Sequence, residues 1–260
     1  MKKFIAVPMA ALLLLAGCSA PAPVPTPTVS ATPDTLTGTV TVDAAASLTD
    51  TFQAIADAFN KEHPNVKVVF NFGGSSGLAT QIVQGAPVDV FASASGTTMK
   101  TVTDAALADG TPTVFVTNTL EIAVPSDNPG KVTGLKDFAN PDLSIALCAV
   151  EVPCGAAAKT VFDGAAITAS VDTYEQDVKS VLAKVETDEV DAGMVYVTDV
   201  KAAGDKVKGI EFPEASAAVG KYPIALLTAS ANKDAAQAFI DYVLSPKGIK
   251  ILTDAGFGTP

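Results

Sequence analysis

Thr39-Val40-Thr41-Val42, followed closely by Ala44-Ala45-Ala46-Ser47-Leu48-Thr49-Asp50, decides how this chain is read. The first four residues are β-branched and alternate, which predicts a strand. Leu48, Phe52, Ile55 and Phe59 then recur at helical spacing, so a helix follows at once. Ser47 stands at the junction with Asp50 three residues on, a variant of the capping box in which Asp replaces Glu or Gln. A serine there presents a hydroxyl and backbone N–H groups at the positive end of a helix, an arrangement able to hold an anion. Taken alone, Ser47 is only a helix cap. The functional case rests on the same device recurring downstream.

Working outward, the N-terminal side is not part of the folded unit. Lys2 and Lys3 precede an apolar run, Ile5 to Leu15, interrupted by Pro8 and too short for an ordinary transmembrane helix. Leu15-Ala16-Gly17-Cys18 resembles a bacterial lipobox, which implies that residues 1–17 are a signal peptide and that Cys18 becomes a lipid-modified N-terminus. Residues 18–37 are rich in Pro, Thr, Ala, Ser and Val and read as an extended tether. At about 3.1 Å per residue it reaches roughly 60 Å from a membrane. The expected location is the extracytoplasmic face of the cell membrane.

The remaining residues, 38–260, alternate strand and helix patterns. Strands are predicted at Val66–Phe72, Val88–Ala92, Leu120–Val124, Ser144–Leu147, Ala192–Tyr196 and Tyr222–Leu227. Helices are predicted at Leu78–Gln84, Thr97–Ala108, Asp177–Glu186, Ala235–Leu244 and Pro246–Ala255, with a further helix opening near Gly155. This alternation predicts an α/β fold with mostly parallel sheets.

Composition narrows the partners. The formal charge is −11, every basic residue is lysine, and aromatic residues make up 6% of the chain. Such a chain is a poor nucleic-acid binder and does not steer anions from a distance. An anion site here must work at short range through hydrogen bonds.

With Cys18 assigned, Cys148 and Cys154 remain, and outside the cytoplasm an even pair is most simply a disulfide. The alternative, a metal site, has only His63 as an imidazole ligand, in a surface-like turn, and Cys-x₅-Cys without further ligands is not a zinc pattern. The loop closed is small and stabilises by roughly 2 kcal/mol.

Gly73-Gly74-Ser75-Ser76-Gly77 fits the G-x-S-x-G nucleophile elbow in a strand–turn–helix setting. A serine hydrolase of that type needs a histidine after the serine, and the single histidine, His63, precedes it. Without a base the hydroxyl is a weak nucleophile, so no enzyme is expected. The same turn serves as an anion cradle, with convergent N–H groups and two hydroxyls at a helix start. Cys154-Gly155 and Val178 are further helix starts with free donors, and Tyr196 brings a phenol to the end of a strand. In parallel α/β sheets ligands bind at the carboxyl ends of strands.

The run Ala44–Thr49, Phe72–Ile82, Gly85–Phe91, Val152–Gly155 and Gly193–Tyr196, in this order, resembles the molybdate-binding proteins (ModA family) of bacterial ABC importers. The resemblance implies a two-lobed, type II periplasmic solute-binding fold with a hinge of two crossing strands. Residues 38–121 and 222–260 would form lobe I and residues 122–221 lobe II, with crossings near Ile122–Val124 and Tyr222–Pro223. It implies an oxyanion site in which Ser47 and Ser75 donate through hydroxyl and N–H. Cys154 and Val178 would donate through backbone N–H, and Tyr196 through its hydroxyl. The ligand would be molybdate, with tungstate alongside it, and molybdenum would be held only as that oxyanion, with no cofactor. The partners implied are the permease and ATPase subunits of an importer, served by a lipid-anchored monomer. The alternative is a protein of the same fold that binds sulfate, phosphate or another small oxyanion; less favoured is a hydrolase built on Gly73, Ser75 and Gly77.

Overall fold

The computed structural model of the chain describes Met1 and residues 35–260. The expected signal peptide, Cys18 and most of the tether lie outside the described residues.

Strand β1 (Gly38–Ala45) runs into a 3₁₀ turn (Ala46–Leu48) and helix α1 (Thr49–Glu62). Leu48, Phe52, Ile55 and Phe59 are buried along one face of this segment, as their spacing predicts. The chain then forms β2 (Val66–Gly73), α2 (Ser75–Val83), β3 (Val90–Ala92), α3 (Gly96–Asp104) and β4 (Ala108–Asn118). After β5 (Leu120–Pro125) come β6 (Ile145–Cys148), α4 (Pro153–Ala165), β7 (Thr173–Glu175), α5 (Val178–Glu186), β8 (Ala192–Tyr196), α6 (Val197–Ala203) and β9 (Val207–Ile210). Strand β10 (Gly220–Leu227) and helices α7 (Lys233–Leu244) and α8 (Pro246–Asp254) complete it.

These strands build two sheets, ordered β2-β1-β3-β10-β4 and β7-β6-β8-β5-β9. In the first, β1 pairs in parallel with β2 and β3, while β10 pairs antiparallel with β3 and β4. In the second, β6 pairs in parallel with β7 and β8, while β5 pairs antiparallel with β8 and β9. The expectation of mostly parallel sheets is therefore corrected: both are mixed. The cause is topological, since β5 and β10, the strands next to the crossings, are inserted against the direction of the βα units.

The crossings also lie earlier than expected. Leu120 and Glu121 already belong to β5 of the second sheet, so the change of sheet occurs at Thr119, between Asn118 and Leu120. The return precedes Gly220, where β10 begins. The expected boundaries at 121/122 and 221/222 cut into β5 and β10, because apolar content alone marks a strand's middle better than its ends.

Strand β4 was not expected. Asp109, Gly110 and Pro112 argue against a strand, but β4 lies at the edge of its sheet, where a missing N–H is tolerated. Its pairing with β10 slips twice, on either side of Pro223 and Ile224. The short elements β7, α6 and β9 were also not anticipated.

Each sheet has its own core. In the first, Phe52 packs against Phe70, Phe115 and Phe239, and Phe59 meets Phe239 edge-on at 5.5 Å. Helices α2 and α3 cover its other face through Leu78, Ile82, Met99 and Val102 around Phe91. In the second, Phe138, Phe162, Val181, Val185 and Met194 surround the β5–β6–β8 centre. Burying each phenylalanine or valine contributes about 1.5–3 kcal/mol, so each lobe is held by its own apolar contacts. Ala46, from the turn after β1, packs into the core of the second sheet.

Candidate functional site

A cavity closes where the carboxyl ends of β1, β2 and β8 face the starts of α4 and α5. It is lined by Ala45, Ala46, Ser47, Gly73, Gly74, Ser75 and Ala94 from the first lobe. Val152, Pro153, Cys154, Asp177, Val178 and Tyr196 line it from the second. All five residues read from the sequence as oxyanion ligands are there together. The space is about 10 Å³, against roughly 300–1,000 Å³ for sites holding drug-sized molecules. It suits a compact ion. A wider groove between α3 and α4 shares Ala94, Pro153 and Tyr196 with the cavity and gives it an approach from solvent.

Local structure explains why donors collect here. Ser75 is the first residue of α2, Pro153 of α4 and Val178 of α5. N–H groups in a helix's first turn have no intrahelical acceptor, and the helix dipole adds positive potential at the same point. Pro153 fits the first helical position because its missing N–H is no loss there. Val178 serves both readings of its position: its side chain is buried in the second core, while its N–H belongs to the first turn of α5.

Ser47 departs from the helix-capping reading of its position. It lies inside the 3₁₀ turn, makes no capping bond, and its hydroxyl lies 2.9 Å from the Tyr222 hydroxyl. Asp50, expected as its capping-box partner, accepts instead from Lys179 of the other lobe at 2.9 Å. The Ser75 hydroxyl accepts the Ala94 N–H at 3.0 Å. That bond occupies oxygen lone-pair density and leaves the hydroxyl proton available to the cavity. Cys148 and Cys154 are joined by a disulfide, with Cα atoms 5.8 Å apart. The bridge fixes the turn that carries Pro153 and Cys154, and Gly155 lets it sit tight: a Cβ there would stand 2.0 Å from the Ala149 carbonyl oxygen.

Among the described residues no lysine lines the cavity. Its one acid, Asp177, is turned to its own helix, accepting from the Ser180 N–H at 3.0 Å and the Ser180 hydroxyl at 2.9 Å. Burial holds the Tyr196 and Tyr222 phenols well above their usual pKa, reinforced for Tyr196 by Tyr222 and Asp199. Both therefore remain neutral O–H groups over the physiological range. His63 sits at the far end of α1, its ring tilted against Phe59 with centroids 4.6 Å apart. At 1.5 Å per residue that is about 20 Å along the helix from its cavity end. His63 is thus not placed to act as a base for Ser75.

Residues that the sequence did not single out shape the site from behind. Asp199, fully buried, accepts the Tyr196 N–H at 3.1 Å and stands 3.5 Å from the Lys179 ammonium. Lys179 takes its shorter contact with the exposed Asp50, so Asp199 is undercompensated and one of its oxygens has no hydrogen bond. Burial accordingly raises the Asp199 pKa from 3.8 to about 6, against the pull of Lys179. Lys179 is itself shifted upward, because its two carboxylates outweigh its own burial.

At Gly74 the backbone of one lobe lies directly against the other. A Cβ on it would stand 2.1 Å from the carbonyl oxygen of Gln176 in the opposite lobe. Its own φ of −64° and ψ of 126° are open to any residue. Alanine would thus be harmless to the lobe that carries it and would collide only on closure.

Comparisons with known proteins agree with this architecture. Residues 40–258 match the family model of the bacterial extracellular solute-binding proteins. The molybdate-binding protein ModA of Mycobacterium tuberculosis is 38% identical over 256 residues, covering 98% of both chains. The substrate-binding domain of a molybdenum ABC transporter from Clostridium difficile superposes with a TM-score of 0.64 at 33% identity, covering 85% of this chain and 99% of that one. The periplasmic molybdate-binding protein of Azotobacter vinelandii shares the fold, with a TM-score of 0.76 at 21% identity over 85% of this chain and 99% of that one.

Two outcomes are expected. Gly74→Ala should leave the melting temperature of the ligand-free protein near the wild-type value while abolishing ligand-induced closure measured by small-angle scattering; normal closure would contradict the collision. For Asp199, a raised pKa means stability that is full below pH 3.8 and is lost as pH rises through about 6. Denaturant unfolding of wild type and Asp199→Asn should therefore show wild type losing about 1 kcal/mol relative to the variant between pH 5 and pH 7. A pH-independent gap would contradict it.

Proposed function

Since the chain belongs to the bacterial extracellular solute-binding proteins, and within them to the ModA family, we propose that it captures molybdate, and tungstate with it, and hands the ion to the permease and ATPase of an ABC importer. The observation that carries this reading is the convergence of neutral donors from two lobes on one closed, cation-free cavity. Ser47 and Ser75 donate through hydroxyl and N–H, Cys154 and Val178 through N–H, and Tyr196 through its phenol.

The energetics favour this design for a dianion. An unpartnered buried charge is prohibitively costly. Several charge-assisted hydrogen bonds, each worth roughly 1.5–3 kcal/mol, together with helix dipoles, offset that cost without a countercharge. Because the donors are neutral and fixed, size becomes the selector. Molybdate and tungstate reach all the donors at once, whereas the smaller sulfate leaves some under-satisfied. A protonated phosphate brings an O–H, and the one carboxylate lining the cavity is turned to its own helix.

Donors come from both lobes, so only the closed form completes the site, and binding shifts an open–closed equilibrium. The importer then distinguishes loaded from empty protein by shape. The Leu15-Ala16-Gly17-Cys18 run supports a lipid anchor at Cys18, with residues 18–37 as the tether. The protein acts as a monomer in this reading and needs no cofactor.

Calorimetric titration tests it. Molybdate and tungstate should each bind tightly at one ion per chain, with sulfate and phosphate giving no heat. Heat from sulfate or phosphate with none from molybdate would remove the proposed ligand.

A further inference from the structure

Behind Ser47 lies a line of buried polar side chains that does not reach the cavity wall. The Ser47 hydroxyl meets the Tyr222 hydroxyl at 2.9 Å, and the Asn118 amide nitrogen stands 3.5 Å from Tyr222 and 2.8 Å from the Thr198 hydroxyl. All four residues are buried, and only Ser47 lines the cavity. Their positions in the chain are telling. Asn118 ends β4, immediately before the crossing at Thr119; Tyr222 lies just after the return crossing; Thr198 belongs to α6 of the second lobe.

We propose that Tyr222 is a positioning residue for the anion site: held by Asn118 at the hinge, it gives its proton to Ser47 and so turns the Ser47 hydroxyl proton toward the bound ion. The inference rests on the oxyanion reading above and adds to it the residue that sets the polarity of one donor.

Direction along the line follows from donor chemistry. The Asn118 side-chain oxygen accepts the Thr119 N–H at 3.0 Å, which identifies the other end of the amide as nitrogen. An amide nitrogen only donates, so both the Thr198 and Tyr222 oxygens receive from it. The Tyr222 hydroxyl also has the Tyr196 hydroxyl as a hydrogen-bond partner; in the proposed polarity Tyr222 gives its single proton to the Ser47 oxygen, 2.9 Å away. Ser47 then has its acceptor side occupied and its own proton free. The opposite polarity, with Ser47 donating to Tyr222, would present oxygen lone pairs to an anion and convert attraction into repulsion. The ring of Tyr222 is packed separately, against Tyr196 at 6.2 Å and Phe257 at 5.5 Å. Removing the hydroxyl alone therefore leaves the hinge packing in place.

Because Asn118 bonds to Thr198 across the lobes, the line is complete only when hinge and α6 are in the observed arrangement.

A double-mutant cycle tests the assignment, using molybdate as the probe in calorimetric titrations of wild type, Tyr222→Phe, Ser47→Ala and the double variant. Tyr222→Phe should weaken binding about tenfold in the Ser47 background and have no further effect once Ser47 is alanine. Its ligand-free melting temperature should stay near that of wild type. Equal losses in both backgrounds, or wild-type affinity for Tyr222→Phe, would overturn the positioning role. Absence of molybdate binding by wild type would instead overturn the oxyanion reading on which it rests, so the two failures are distinguishable.

Discussion

N–H groups in the first turn of a helix lack an acceptor, and the rest of this structure is arranged around where that shortage is placed. Helices α2, α4 and α5 and the turn before α1 all begin at the cavity, and they come from two sheets with separate cores. A lobe on its own presents only part of the donor set to water. Brought together, the two lobes create a small region of positive potential without any positive side chain, and only a compact anion satisfies it. Lys179, next in the chain to the cavity-lining Val178, is engaged by Asp50 and Asp199 instead.

The means of bringing the lobes together are equally specific. Two crossings, at Thr119 and before Gly220, are the only links between the sheets among the described residues. The contacts between the lobes include the Gly74 backbone against the Gln176 carbonyl, Ala46 entering the second core, Lys179 reaching Asp50, Asn118 donating to Thr198 and Lys201 donating to the Asp254 carbonyl. A surface ion pair contributes little by itself, so the closed form does not depend on Lys179 and Asp50 alone. The acid behind Tyr196 carries a cost at neutral pH, since Asp199 is buried with one oxygen unbonded.

Much of this was legible in the sequence, and the reasons are physical. The β1–Ser47–α1 junction shows itself through local periodicity, and Ser75, Cys154, Val178 and Tyr196 are each marked by a boundary between a strand and a helix. Those are short-range signals. Strand β4 was hidden because Asp109, Gly110 and Pro112 are poor strand formers that an edge position tolerates. The hydroxyl partner of Ser47 was hidden for a different reason: Tyr222 is 175 residues away. Gly74 reads locally as part of a flexible turn, and only the opposite lobe reveals why it carries no side chain. Asp199 carries no local signal at all: its burial and its sharing of Lys179 arise from the packing of α6 against α5. Local chemistry places donors; the contacts between lobes decide what those donors face.

The central claim is that one oxyanion sits among Ser47, Ser75, Cys154, Val178 and Tyr196. Anomalous diffraction at the molybdenum absorption edge, from crystals grown with molybdate, tests it most directly. The account predicts a single strong peak inside the cavity, within hydrogen-bonding reach, through its oxygens, of the Ser47, Ser75 and Tyr196 hydroxyls and the Cys154 and Val178 N–H groups. A peak confined to the outer groove between α3 and α4, or no peak in a closed molecule, would contradict it.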